Sequence, residues 1–126
     1  MNAKASRVDA AFIERQRQAL MKLRGELSSA VREEEAEEAA VKEESAAGPR
    51  EYEDDAQKLA ALELDGVLRV RDLERLGRVD RALKKIEEGT YGLSDRSGQP
   101  IPRERLEVVP ESIYTLAEEE ALEKKR

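Results

Sequence analysis

The stretch Arg81-Ala-Leu-Lys-Lys-Ile-Glu-Glu-Gly-Thr-Tyr-Gly-Leu-Ser-Asp-Arg-Ser-Gly-Gln-Pro-Ile-Pro102 marks where a long helix stops and a small turn-rich lobe begins. Leu83 and Ile86 continue an apolar stripe at helical spacing, and Gly89 supplies the residue that suits a left-handed helix cap. Beyond it, Gly92, Gly98, Pro100, Pro102 and Pro110 punctuate the chain too densely for another long element. Ser94-x2-Ser97, seventeen residues, then Thr115-x2-Glu118 reproduces the spacing of a four-cysteine zinc site, yet the chain has no Cys and no His. The frame of a finger is present without its metal ligands.

Upstream of this stretch, two long helices are expected. The first spans about Ala10 to Ala46, with Ile13, Leu20 and Leu27 seven apart and Leu23, Ala30 and Val31 between them. After Val31 the stripe thins to Ala36, Ala39, Ala40 and Val41, which keeps helix propensity but packs weakly. Gly48-Pro49 reads as a helix stop. The second helix runs from about Asp54 to Glu88 on Leu59, Leu62, Val70, Leu73, Leu76, Val79, Leu83 and Ile86, with Gly66 interrupting the run. Two such helices joined by a short turn make an antiparallel hairpin, each arm roughly 50 Å long at 1.5 Å per residue.

Composition agrees with a slender, helical chain. Of 126 residues, 41% are charged and 3% aromatic, too polar a mixture for a thick core. The fold class expected is therefore all-α dominated: residues 1–9 as a flexible N-terminus, 10–88 as a coiled-coil hairpin with an acidic tip near 46–56, and 89–126 as a degenerate, metal-free finger-like lobe with a C-terminal helix. In that lobe a hairpin-like knuckle, a helical turn through Arg103–Leu106 and a last helix from about Glu111 are expected. The lobe is too small to stand alone and should lean on the N-terminal residues, with Phe12 and Ile13 as the candidate contacts.

The net charge of −6 is concentrated: Glu33 to Asp55 holds eleven acids and two bases, a local −9 that leaves +3 elsewhere. A chain so charged has little electrostatic reason to bind duplex DNA, whose phosphates need a basic surface. A basic protein pocket or channel suits the acidic segment better. Like charges crowded at a turn oppose packing, so a functional account is the more economical one. Without Cys or His, thiolate and imidazole catalysis and a Cys/His zinc site are excluded. No apolar run reaches membrane-span length and the N-terminus lacks a signal-peptide core, so a cytoplasmic protein with no membrane partner is expected.

Arg81 through Gly92, followed by Gly98-Gln-Pro-Ile-Pro-Arg-Glu-Arg-Leu-Glu107 and Pro110, resembles the DksA/TraR family of transcription regulators. In that family a helix-ending G-T-Y-G leads into C-x2-C-G, then P-I-x-x-x-R-L, a Pro and a final C-x2-C. The resemblance implies a non-enzymatic, RNA polymerase-binding factor whose coiled-coil arm enters the secondary channel and alters open-complex stability. It implies no sequence-specific DNA binding, and a monomer is expected. The family's acidic tip motif, D-x-x-D-x-A, falls on Glu51, Asp54 and Ala56, with Asp55 adjacent; Glu51 stands where the first Asp is usual. The rival account of Asp54 is helix N-capping.

The family's four zinc ligand positions fall on Ser94, Ser97, Thr115 and Glu118, so no zinc cofactor is expected. Hydrogen bonds from Ser94, Ser97 and Asp95 are expected to offset the missing metal. Some members respond to the alarmone ppGpp, which makes it the candidate modulator here. Arg71 and Arg78 are the candidate alarmone or polymerase contacts, against a plain reading as surface ion pairs; Glu119 replaces a Lys common in such proteins. Two other readings stay open: a Gre-like transcript-cleavage factor, and a coiled-coil adaptor unrelated to polymerase.

Overall fold

A computed structural model describes residues 8–46 and 52–125, with side chains placed for 8–43 and 56–125. Helices account for nearly all the regular structure: α1 (Ala10–Ala46), α2 (Tyr52–Glu88), α3 (Arg103–Val108) and α4 (Leu116–Lys125). Among the described residues the extended backbone is limited to one antiparallel bridge, Leu93 to Pro100. The chain divides into two compact units, Met1–Arg24 with Gly77–Arg126, and Gly25–Leu76.

In the first unit, α1 begins at an Asp9 cap whose carboxylate accepts the Phe12 N–H at 2.8 Å. Its inward face is Phe12, Gln16 and Leu20, four apart, instead of the Ile13-to-Leu20 step read from the heptad. Ile13 is only half-buried. The lobe covers the Phe12 side of the helix, and that contact displaces the seam by one residue. The Arg103 guanidinium caps the Phe12 ring, 4.3 Å from its centroid.

The end of α2 is a Schellman motif, with Gly89 at φ 81°. The Thr90 N–H donates to the Lys85 carbonyl at 2.8 Å and the Gly89 N–H to the Ile86 carbonyl at 3.3 Å. Val79, Ala82, Tyr91, Ile101, Leu106 and Ile113 then bury against Phe12 and Leu20 as the core of this unit. Gly92, at φ 92°, turns the chain into the lobe. A Cβ there would come within 3.2 Å of Val8 Cγ1, so both backbone angle and space call for glycine.

The last helix begins at Leu116 and not near Glu111. Glu111, Ser112 and Ile113 are all buried, and the Ile113 carbonyl accepts the Asp95 N–H at 2.8 Å. That bond ties the segment to the knuckle outside any helix, and the helix starts after Thr115.

In the second unit, Leu27 and Val31 of α1 are buried, and α2 runs unbroken through Gly66. The facing side chains are largely charged. Glu38 forms an ion pair with Arg69 and a second, at 3.0 Å, with Lys42. Glu34 meets Asp72 and Glu37 meets Asp65, so the order of contacts is antiparallel. The Gly48-Pro49 turn falls outside the described residues.

Candidate functional site

The four positions with zinc-ligand spacing converge on one carboxylate. Thr115 and Glu118 form a capping box at the start of α4: the Thr115 N–H donates to Glu118 Oε1 at 2.8 Å, and the Glu118 N–H donates to Thr115 Oγ1 at 3.3 Å. The same Glu118 oxygen accepts the hydroxyl of Ser94 at 2.5 Å. Ser94 Oγ in turn accepts the N–H groups of Arg96 and Ser97, at 3.0 and 3.2 Å. The Ser94 hydroxyl, then that of Ser97, and the Thr115 backbone hold the Glu118 carboxyl down at about 2. The knuckle and the C-terminal helix are thus joined where a metal would join them in a zinc finger.

These residues do not fit zinc. Structural zinc takes four thiolate or imidazole donors, whereas three of these corners are hydroxyls, which are poor ligands at neutral pH. The one carboxylate is already engaged by its neighbours, and among the described residues no three His, Cys, Asp or Glu side chains are grouped to hold a metal ion.

Asp95, expected beside the serines, works elsewhere. It accepts from Arg81 Nε at 2.7 Å and Nη2 at 2.9 Å, and from the buried Lys85 ammonium at 2.7 Å. The Arg81 guanidinium, with Lys85, holds its carboxyl at about 2. A bidentate clamp therefore fixes the knuckle on the last turns of α2. On the other side, Gln16 Nε2 donates to the Leu106 carbonyl at 2.6 Å and to the Tyr91 hydroxyl at 3.0 Å. Tyr91 donates onward to the Pro110 carbonyl at 2.9 Å, and burial pushes its phenol up to about 12.

The acidic motif is only partly within view. Glu51 lies outside the described residues, as do the side chains of Asp54 and Asp55. Their backbone belongs to α2, which starts at Tyr52, so Asp54 lies inside the first turn and not at the cap. Ala56 is exposed. Arg71 is exposed in the unit Gly25–Leu76, and Arg78 is half-buried in the other unit. Among the described residues neither arginine forms an ion pair. Sequence reading missed Gln16 and the Thr115-x2-Glu118 capping box; the latter was visible as a T-x-x-E signature ahead of a helix.

A helical hairpin followed by a finger-type lobe with a hydrogen-bonded centre defines a small class of proteins. No protein-family model matches the chain. It is 46% identical over 52 residues to General stress protein 16O of Bacillus subtilis, 41% of this chain and 32% of that protein. It is 35% identical over 60 residues to the RNA polymerase-binding transcription factor DksA of Caulobacter vibrioides, 46% of this chain and 42% of that one. The chain spans less than half the length of the curated relatives it matches. Its structure is similar to that of transcription factor DksA2 from Pseudomonas aeruginosa, with a TM-score of 0.72, 26% identity, and coverage of 93% of this chain and 87% of that one. The sequence matches and this structural likeness support a DksA-like family, in a chain without cysteine ligands.

Proposed function

We propose that this chain is a cytoplasmic, non-enzymatic transcription regulator that binds RNA polymerase and presents the acidic segment between α1 and α2 to its secondary channel. The observation that carries the reading is the finger-spaced centre of Ser94, Ser97, Thr115 and Glu118 directly after a DksA-like hairpin. A relative 35% identical over 60 residues is described as an RNA polymerase-binding transcription factor.

The chemistry is electrostatic. A channel that passes nucleoside triphosphates is basic, and a segment carrying −9 over Glu33 to Asp55 is steered into it at a rate that falls with salt. Glu51, Asp54 and Asp55 then offer carboxylates to polymerase groups near the catalytic centre, and Ala56 permits close approach. Promoter complexes change lifetime without any DNA contact by this chain. The lobe does this work without zinc. Arg71 and Arg78 offer guanidinium groups to polymerase or to the phosphates of ppGpp, which acts as a modulator.

In vitro transcription with purified polymerase tests the proposal. Open-complex lifetime should shift on adding the protein, and Asp54→Asn with Glu51→Gln should remove most of the shift while leaving helicity intact. Shortened transcripts in stalled complexes would point instead to a cleavage factor. Failure to co-purify with polymerase would point to an unrelated adaptor.

A further inference from the structure

The seam of α2 in the unit Gly25–Leu76 is occupied by Asp65, Arg69 and Asp72, while part of its outer face is apolar. Leu64, Val67 and Val70 are 59%, 57% and 56% exposed, at three-residue steps along one face. Around Val67 lies a shallow depression of about 520 Å3, lined by Glu63, Gly66, Val67, Val70 and Arg71. Solvent-exposed helix faces normally carry charge at such positions, and three large apolar residues together call for a partner.

The pattern is self-complementary about Val67. Glu63 and Arg71 lie four residues to either side, both exposed, and neither forms an ion pair among the described residues. A second copy of α2 laid antiparallel, with its two-fold axis through Val67, brings the two Val67 side chains together. Leu64 of each copy then meets Val70 of the other, and Glu63 meets Arg71, each contact occurring twice. The parallel arrangement sets Glu63 on Glu63 and Arg71 on Arg71, which like-charge repulsion disfavours.

We infer that this face of α2 is a docking surface for a second copy of the same chain, paired antiparallel about Val67. The patch is small, below the roughly 1,200 Å2 of standard stable interfaces, so the dimer forms at concentrations on the order of 10–100 µM. It shares Arg71 with the polymerase reading above, and is therefore tested on the isolated protein, without polymerase or alarmone.

Sedimentation equilibrium from about 5 µM to 0.5 mM should show the mass rising from 14.2 kDa toward twice that value. Glu63→Arg alone and Arg71→Glu alone should each weaken association about tenfold or more, because each sets two like-charge pairs face to face. The double variant exchanges both charges and should restore association to within about threefold of the parent. Helicity by circular dichroism should be the same in all four proteins, since both positions are exposed. A parent that stays monomeric across the range overturns the proposal, and so does a double variant as weak as the singles.

Discussion

The hydroxyl of Ser94 donates to Oε1 of Glu118 at 2.5 Å, across 24 positions of sequence. The bond joins the knuckle to the first turn of α4, the two segments that a zinc ion would otherwise hold together. A metal is indifferent to which donor comes from which segment, provided the charge and geometry suit. A hydrogen-bonded centre needs one acceptor and several donors, and the sequence supplies one Glu, two Ser and one Thr.

Metal independence is the expected outcome. EDTA should leave the thermal midpoint unchanged, and added Zn2+ should not raise it; calorimetry with and without chelator checks both. Glu118→Ala, by contrast, should lower the midpoint by several degrees, because Ser94 Oγ and the Thr115 N–H lose their shared acceptor. Replacing all four corners by Cys should confer a zinc-dependent midpoint if their spacing suits a metal.

Acid should loosen the lobe. Glu118 and Asp95 stand at about 2 in the folded chain against ordinary values of 4.5 and 3.8, so the folded state holds these two protons more weakly than the unfolded state does. Their contribution is complete above about pH 5 and is lost as pH falls toward 2. Thermal midpoints measured over that interval should fall, and the fall should be shallower in Glu118→Gln and Asp95→Asn, both of which also start lower at pH 7.

The unit Gly25–Leu76 should respond in the opposite sense. Burial, then the facing Asp72, raises the Glu34 carboxyl, and the facing Asp65 raises that of Glu37. Each pair therefore binds a proton more tightly when folded, and mild acidification from neutral pH toward 4.5 should stabilise this unit. Amide exchange, corrected for its intrinsic pH dependence, should show protection rising there over that interval. Glu34→Gln with Glu37→Gln should raise protection at pH 7 and flatten the response.

Breaking the clamp at Asp95 should be costly. Asp95→Ala leaves the Lys85 ammonium, 2% exposed, without its carboxylate and should destabilise by roughly 2 kcal/mol in urea unfolding. Lys85→Met removes the buried charge together with its partner's need and should cost less.

Gln16→Ala should destabilise by about 1–3 kcal/mol, because the buried Leu106 carbonyl and the Tyr91 hydroxyl each lose a donor. Gln16→Leu keeps the volume but not the donors and should be nearly as harmful. Comparing the two by urea unfolding separates hydrogen bonding from packing.

Much of this was legible because helices report locally. Leu20, Leu27 and Val79 recur at helical spacing and are buried, and Gly89 caps α2 with the positive φ that only glycine adopts freely. The finger spacing was legible for the same reason, being a distance along the chain. The displaced seam at Phe12 and Gln16 was not, because it depends on the lobe that packs across α1. The start of α4 was written locally, in the T-x-x-E box of Thr115 and Glu118, but the Asp95 to Ile113 bond that ties the preceding segment to the knuckle was not.

The sequence by itself thus determined the two long helices, the glycine cap of α2 at Gly89, the acidic charge between the helices and the absence of any cysteine or histidine ligand. These are properties of neighbouring residues: propensity, periodicity, charge and donor chemistry. Tertiary structure alone decided that Glu118 is the acceptor at the finger's centre, that Asp95 serves Arg81 and Lys85 instead of the serines, and that α2 turns Leu64, Val67 and Val70 outward. A hydrogen bond or an exposed face needs two distant segments to meet or to miss each other. Spacing along one chain cannot state that.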